Sequence, residues 1–291
     1  MKKAIEYILF ILILLLIYFY RTEINIIAIK AYNYYSGNSA KINEYSKNIN
    51  YLNFQKTTDF VPNNKQELIN VIYTILDDGI TDYMFYCGYD ECEEDLDDVA
   101  NNGMLQVINN YVHPYNSFKL FNYNSMLNVV SISIDRSYND NEISIINSRL
   151  NYIIPTIISS TMNDHDKIMA FHDYIVNNTK YEQDETKGEN HKAYSIIVNG
   201  KGVCSGYADI LDIFLYKMGY KSIKVANEDH VWNALFLDNQ IYNIDMTWDD
   251  PIATDGDKLL HDYFMISTSE LMDLDKENKH NFDRNLYLEL K

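Results

Sequence analysis

Three residues with the chemistry of a nucleophilic site occur close together in the C-terminal half of the chain. They are Cys204, His230 and Asp245, in that order. A free thiol, with a pKa of about 8.5, is mostly protonated at neutral pH, so a nearby imidazole must accept its proton or pair with the thiolate. A carboxylate on the far ring nitrogen would fix the tautomer of that imidazole. We therefore predict a triad with Cys204 as nucleophile, His230 as base and Asp245 as orienting acid.

The thiol is predicted to lie at the start of a helix. Residues 199–202 have the composition of a turn, apolar residues recur at helical spacing from Tyr207 onward, and Gly219 can end the helix. Cys204 would then lie in the first helical turn, where unpaired backbone N–H groups can stabilise a thiolate and face a developing oxyanion. Gly206 is expected to keep the approach to the sulfur open.

The base and the acid are predicted to lie on neighbouring strands. Three short apolar runs follow the helix and are predicted as antiparallel strands: residues 222–226, 231–237 and 240–246. Asp238 and Asn239 form a tight turn between the last two runs. Because His230 and Asp245 lie at similar distances from this turn, their side chains are expected at the same end of the sheet.

Three sequence blocks carry a resemblance to a known family: residues 202–209, 230–233 and 242–251. In this order they resemble the transglutaminase-like superfamily, whose core is similar to that of papain-type cysteine proteases, and the likeness extends over residues 141–285. The resemblance implies an α+β fold with the nucleophile at a helix N-terminus packed on an antiparallel sheet. It also implies that Cys204, His230 and Asp245 are a catalytic triad that attacks a carboxamide or peptide carbonyl to give a thioester.

Several functional alternatives remain open at this point. An amine acceptor would make the protein a transglutaminase, whereas water would make it a protease or deamidase. A catalytically silent binding or scaffold module at the cell surface is the competing class, although an intact Cys-His-Asp set favours an enzyme. The Gly-x-Cys-x-Gly pattern also fits an α/β-hydrolase elbow, with Asp245 followed by His261 or His280. The predicted helices before this pattern and the strand meander after it argue against that fold.

The sequence also offers candidates for the oxyanion-binding residue and for the wall of the substrate groove. Papain-like enzymes have an oxyanion-binding glutamine shortly before the cysteine, which is missing here, so Tyr194 and Asn199 are candidates for that role. Trp232 and Trp248 are candidates for the groove wall, although large aromatic residues more often serve core packing.

No metal site and no cofactor are predicted. Cys87, Cys92 and the acidic run 93–98 match no standard ligand spacing, and the calcium sites of animal transglutaminases have no counterpart that can be assigned. Cys87 and Cys92 are the pair available for a disulfide, which leaves Cys204 as a free thiol.

The amino terminus is predicted to be a membrane anchor. A basic start precedes an uncharged apolar run from Tyr7 to Tyr20, which is shorter than the roughly 20 residues that span a bilayer. We predict an uncleaved signal-anchor in the cell membrane, single-pass, with the catalytic domain outside. One alternative is a signal peptide that is cleaved, which would make the protein secreted. The other is a helix buried in the hydrophobic core.

Composition sets the remaining expectations. The chain of 291 residues is 47% hydrophobic, enough for one large core and a smaller unit. A net charge of −18 argues against nucleic acid as a partner, so the expected partners are a protein or peptide substrate and the membrane. Oligomeric state is left open. The predicted divisions are an anchor (1–22), a juxtamembrane helix and stalk (23–65), an accessory α/β region (66–140) and a transglutaminase-like catalytic domain (141–291).

Overall fold

Two three-stranded antiparallel sheets and the helices around them build the molecule. The computed structural model describes residues 2–37, 43–182, 188–250 and 259–291. The helices are α1 (Lys2–Phe19), α2 (Arg21–Tyr35), α3 (Lys65–Asp77), α4 (Cys92–Asn101), α5 (Met104–Tyr111), α6 (Asp140–Ile157), α7 (Asp164–Asn178), α8 (Cys204–Lys217) and α9 (Thr268–Leu274). The strands are β1 (Asp82–Tyr86), β2 (Phe118–Met126), β3 (Val129–Arg136), β4 (Lys180–Tyr181), β5 (Lys201–Gly202), β6 (Lys221–Ala226), β7 (Val231–Leu237) and β8 (Gln240–Ile244). The predicted α+β class is confirmed.

The first sheet, in the order β1-β3-β2, belongs to the accessory region. The sequence pattern of residues 94–111 predicts one helix, but these residues belong to α4 and α5, which are separated at Gly103 with a φ of +86°. That backbone conformation is easy for glycine and breaks the helix. Strand β2 was not among the predicted strands. None of its residues is fully buried, although Phe118, Phe121 and Tyr123 pack against the core.

The second sheet, in the order β6-β7-β8, supports the candidate catalytic residues. Leu237 pairs with Gln240 across a two-residue turn. Asp238 and Asn239 in this turn have φ values of 52° and 61°, as a tight hairpin requires. The predicted strands are confirmed, except that β8 ends at Ile244 and leaves Asp245 just beyond the sheet.

The hydrophobic core crosses the predicted boundary between the accessory and catalytic regions. One cluster of buried residues includes Ile72 of α3 and Ile132 of β3 together with Val225 and Trp232 of the second sheet. A second cluster joins α6, α7 and α8, with Phe171 stacked on Phe214 at a centroid distance of 3.9 Å. The two regions thus share packing, while the boundary at residue 140 stays a prediction.

The described parts of the segment predicted as a juxtamembrane helix and stalk pack against the folded domain. In α2, Asn33 donates to the backbone O of Met84 (2.7 Å) and accepts from its N–H (3.1 Å), so this helix caps the open edge of β1. Further along, Phe54 is fully buried and Lys47 forms an ion pair with Asp212. The segment packs against the folded domain because it carries apolar and charged groups that find partners there.

The amino-terminal helix exposes its apolar side chains. Large hydrophobic residues of α1 from Ile5 to Phe19 are between 45% and 71% exposed. Among the described helices, none alone has the length and apolarity to cross a membrane, whereas the pair α1 and α2 passes that test together with a 69° bend between them. The single-pass anchor therefore stays a prediction.

Of the three cysteines, two are paired. Cys87 and Cys92 form a disulfide with a Cα–Cα distance of 6.1 Å, and Cys204 is a free, partly exposed thiol. The bridge joins the end of β1 to the start of α4 and lies in the core of the accessory region.

Candidate active site

Cys204 is the first residue of α8, as predicted. Val203 precedes the helix in extended conformation, and its carbonyl accepts the N–H groups of Gly206 (2.9 Å) and Tyr207 (3.2 Å). The first N–H groups of a helix have no intrahelical acceptor, so those of Cys204 and Ser205 are available to an oxyanion formed at the sulfur.

Gly206 has a different role from the one expected. A Cβ at this position would lie 3.1 Å from the backbone oxygens of both Asn190 and Lys192. The glycine therefore lets the first turn of α8 approach the backbone of the 188–192 segment closely. Val203 N–H donates to the carbonyl of Asn190 (3.0 Å), which fixes this contact.

His230 lies at the entrance to β7 and is held by a turn at Asn227. The side chain of Asn227 accepts from the backbone N–H of His230 (2.8 Å), and the backbone N–H of Asn227 donates to the carbonyl of His230 (3.0 Å). Nε2 of the ring contacts Oδ2 of Asp245 at 2.5 Å. Because Nε2 contacts Asp245, Nδ1 is the ring nitrogen left for Cys204, which lies close enough to raise the pKa of the imidazole.

Asp245 is buried and every oxygen of its carboxylate has donors. Oδ1 accepts the backbone N–H groups of Thr247 (2.9 Å) and Trp248 (3.2 Å). Oδ2 contacts His230 and also Nε2 of His280, the latter at 2.9 Å. Burial alone would favour the neutral acid, but the two histidines hold the pKa of Asp245 well below its usual range.

The imidazole of His230 is poised to be charged. Burial disfavours the cation, but the Asp245 carboxylate, aided by Cys204, overcomes this and raises the pKa of His230 to about 10. The geometry therefore brings together the three residues predicted as a triad, with each ring nitrogen directed at a different partner.

His280 is a residue that the triad prediction missed. Its side chain is fully buried, and its backbone N–H donates to Oδ2 of Asp275 at 2.6 Å. The sequence suggested His280 only as an alternative base for a hydrolase elbow. Its position, 35 residues after Asp245, gives no local signal of a shared carboxylate.

The two tryptophans pack around the imidazole. Trp232 is buried, donates from Nε1 to Asn243 (3.0 Å) and stacks on His230 at a centroid distance of 5.9 Å. Trp248 is partly exposed and lies 6.3 Å from the same ring. Both tryptophans therefore pack against the imidazole of His230.

The oxyanion candidates lie elsewhere. Tyr194 precedes a short π-helical turn (Ser195–Asn199), and Nδ2 of Asn199 donates to Ser195 at 3.3 Å. Neither residue is among the described residues that line the groove at Cys204.

A groove of about 820 Å³ opens over the thiol and the imidazole. Its lining includes Cys204, Ser205 and His230 from the catalytic side and Gln106, Asn109, Asn110, Ser117, Phe118 and Lys119 from the accessory region. Asp209 and Lys224, paired at 2.6 Å, lie on the same lining. A wall made by two regions is a feature that no local sequence pattern reveals.

Two groups of described residues have the spacing to hold a metal ion. One is His230, Asp245 and His280, and the other is His172, Asp173 and His261. In the first group the carboxylate already accepts from both histidines, and a metal would take the imidazole away from the thiol.

Comparison with known proteins agrees with the resemblance found in the sequence. Residues 152–246 match the model of the transglutaminase-like superfamily. This segment of the chain is therefore similar to the transglutaminase-like superfamily, and it includes Cys204, His230 and Asp245. The resemblance predicted from the sequence is confirmed.

More distant similarities come from solved structures. One is the crystal structure of a TGase, with 13% identity over 50% of this chain and 48% of that chain and a TM-score of 0.36. Another is a protein assigned as a cysteine protease from Cytophaga hutchinsonii, with 13% identity over 44% of this chain and 61% of that chain and a TM-score of 0.29. The chain thus spans less than two thirds of either protein. No curated protein sequence matches the chain.

Proposed function

We propose that the protein is a cysteine-dependent enzyme that transfers or hydrolyses the acyl group of protein or peptide amides. The observation that carries this proposal is the continuous chain of contacts from Cys204 through His230 to Asp245, at the mouth of a groove. A thiol, a base and an orienting acid in this arrangement are the components of covalent acyl chemistry.

In the proposed mechanism, the thiol proton already resides on His230, so the reactive form is a Cys204 thiolate paired with an imidazolium that Asp245 stabilises. The sulfur of Cys204 attacks the amide carbon, and the backbone N–H groups of Cys204 and Ser205 bind the oxyanion. His230 then returns the proton to the leaving amine or ammonia, which leaves a thioester on Cys204. An incoming amine or water, deprotonated by the same imidazole, releases the acyl group.

The groove supports a polypeptide rather than a small metabolite as substrate. It is open to solvent and is walled by the accessory region as well as by the second sheet. The exposed amide side chain of Gln106 on this wall offers a donor and an acceptor to an extended backbone, whereas Asn109 and Asn110 are buried and bonded to Phe118 N–H and Tyr287 OH. The accessory region would accordingly position the substrate over the thiol.

We also propose that α1 anchors the protein in the cell membrane with the catalytic domain outside. A helix whose apolar side chains are all exposed is costly in water, and a bilayer would cover them. Membrane pelleting of the full chain, retained after an alkaline wash, is the expected result. A chain that stays in the supernatant without detergent would contradict it, and a shortened chain found in the medium would indicate cleavage.

The first test of the chemistry is alkylation of the full chain in detergent. Iodoacetamide labelling of Cys204, followed by mass spectrometry across pH, should be fast below pH 7 in the wild type and slow in His230→Ala, because the thiolate needs its imidazolium partner. The control is the double variant Cys87→Ala, Cys92→Ala, which should label like the wild type. Slow labelling in every protein would favour the silent binding module.

The second test separates the possible acceptors. A glutamine-containing protein is incubated with a fluorescent primary amine, and amine incorporation, ammonia release and peptide cleavage are each measured. Incorporation indicates a transglutaminase, ammonia without incorporation a deamidase, and new amino termini a protease. All three signals should vanish in Cys204→Ala, and a signal that survives in this variant would contradict the proposal.

A further inference from the structure

We propose that His172, Asp173 and His261 form a binding site for a divalent metal ion of the zinc type, separate from the catalytic groove. One ligand atom from each residue lies within 4.8 Å of the other two. Nδ1 of His172 is 3.0 Å from Oδ1 of Asp173, and Nε2 of His261 is 2.8 Å from the same oxygen. None of the three is among the described residues that line the groove at Cys204.

The orientation of His172 points to a cation. Its ring is fully buried, and Nε2 lies 3.1 Å from Oδ2 of Asp249, a carboxylate that is also fully buried. Nδ1, 3.0 Å from Oδ1 of Asp173, is the ring nitrogen that faces the cluster. With a proton on Nε2 held by Asp249, Nδ1 would offer its lone pair to a metal ion that also binds the Asp173 carboxylate.

The donor set fits zinc chemistry. Two imidazole nitrogens and one carboxylate oxygen are a recurring three-ligand set for Zn²⁺, with a further position left to water. Tetrahedral donors at about 2.0–2.1 Å from zinc lie about 3.3 Å apart, so the observed spacings need to open by a few tenths of an ångström. Side chains of Asp173 and His261 are 32% and 39% exposed, which gives the ion and a water ligand access.

Asp249 supplies the hydrogen bond that the non-ligating nitrogen of a metal-binding histidine normally makes. A carboxylate on the far nitrogen fixes the tautomer and the ring orientation of a ligating histidine. Oδ1 of Asp249 is held by the backbone N–H of Tyr263 (3.0 Å), and its own N–H donates to the carbonyl of Asp245 (3.2 Å). The metal would therefore join α7 to His261 and, through Asp249, to the turn that carries Asp245.

The experiment is zinc binding to the full chain in detergent, after removal of metals with a chelator. Because Cys204 and His230 can bind zinc themselves, the starting protein is the double variant Cys204→Ala, His230→Ala. Calorimetric titration with Zn²⁺ should give one ion per chain. Adding Asp173→Asn or His261→Ala should raise the dissociation constant at least about 100-fold, while adding His165→Ala should leave it unchanged.

His165→Ala is the matched control because His165, like His261, is an exposed histidine in edge contact with Phe264. Zinc should raise the melting temperature of the starting protein and of this control but not of the ligand variants. Equal melting temperatures in chelator would show that all variants fold. Absence of zinc binding in the starting protein, or equal affinity in the ligand variants, would overturn the site and leave a doubly protonated His172 as the explanation.

Discussion

Asp245 Oδ2 is shared by two histidines that face it from different segments. His230 lies at the start of β7, whereas His280 belongs to the C-terminal tail after α9. Only His230 reaches Cys204, so His280 acts through the carboxylate. In the proposed mechanism it is a positioning residue, because its contact with Oδ2 restrains the plane of Asp245 and with it the orientation of the His230 imidazole.

Replacing the donor of His280 should slow catalysis without abolishing it. We expect Asp245→Asn to lower turnover by on the order of 10³–10⁴-fold, since the wrong tautomer of His230 is then favoured. His280→Phe keeps the aromatic packing against Trp232 and Trp248 but removes the donor, so its loss should be smaller. Rates measured with the three acyl-transfer readouts test this order, and partial recovery in His280→Gln would distinguish positioning from packing. Equal losses in Asp245→Asn and His280→Phe would contradict it.

The pair of His230 and Asp245 should also make the free energy of unfolding depend on pH. The pKa of His230 is raised from 6.5 to about 10, so its contribution is complete below about pH 6.5 and is lost as the pH rises through 10. The pKa of Asp245 is lowered, so its contribution is present above its unfolded value of about 3.9 and is lost as the pH falls. The stabilisation by the pair is therefore greatest between about pH 4 and 6.5.

Melting temperatures of wild type and His230→Gln across pH 4 to 10 would test this. The difference between the two proteins should shrink above about pH 6.5. His165→Ala, which removes an exposed histidine, should show no comparable trend. A difference that grows towards pH 10 would mean that the imidazole is not held as a cation in the fold.

At the scale of elements, Asn33 joins α2 to the edge of β1. Asn33→Ala removes both hydrogen bonds to the backbone of Met84 and leaves those groups unpaired, which should cost about 1–3 kcal/mol of local stability. Hydrogen exchange at the Met84 amide should speed up, while Tyr32→Ala, an exposed change on the same helix, should not affect it. Unchanged exchange in Asn33→Ala would mean that β1 does not depend on α2.

Elements with strong periodicity were predictable from the sequence, and those shaped by distant partners were not. The helix at Cys204 and the strand Val231–Leu237 follow apolar patterns that survive in the fold. Strand β2 has no fully buried face and is placed by its register with β3 and by the packing of Phe118, Phe121 and Tyr123 on the core, and α4 and α5 separate at a single left-handed glycine. Tertiary contacts decide such places, and a local pattern does not contain them.

The same division applies to the candidate site. The types and order of Cys204, His230 and Asp245 were sufficient to predict that they meet. His280, the accessory wall of the groove and the His172 cluster depend on segments far apart in the chain, so spacing could not indicate them. The role expected for Gly206 differed because its neighbour is the backbone at Asn190, which only the folded chain brings close.

For the whole molecule, a buried ion pair connects the amino-terminal segment to the catalytic core. Nζ of Lys47 contacts Asp212 of α8 at 2.9 Å and donates to the carbonyl of Ser222 at 2.9 Å. The Lys47 and Asp212 side chains are 2% and 0% exposed. Lys47→Met leaves the Asp212 carboxylate buried without its cation, so we expect the free energy of unfolding to fall by about 3–5 kcal/mol.

Urea unfolding of the full chain in detergent measures this change. Lys65→Met is the comparison, because Lys65 forms its ion pairs with Asp95 and Asp98 at the surface, and exposed pairs contribute little. If both variants were equally stable, the amino-terminal segment would not be part of the folding unit. A large loss confined to Lys47→Met would show that residues before the accessory region stabilise the catalytic helix.

The arrangement of the tryptophans gives the molecule a built-in optical reporter. The chain has two tryptophans, and both pack against the imidazole of His230. Tryptophan emission of the whole protein therefore originates beside the proposed base, and we expect it to respond to the charge of that ring and to a ligand that covers it. Occupancy of the groove, acylation of the neighbouring thiol and release of product can each be followed by intrinsic fluorescence in real time, without attaching a label.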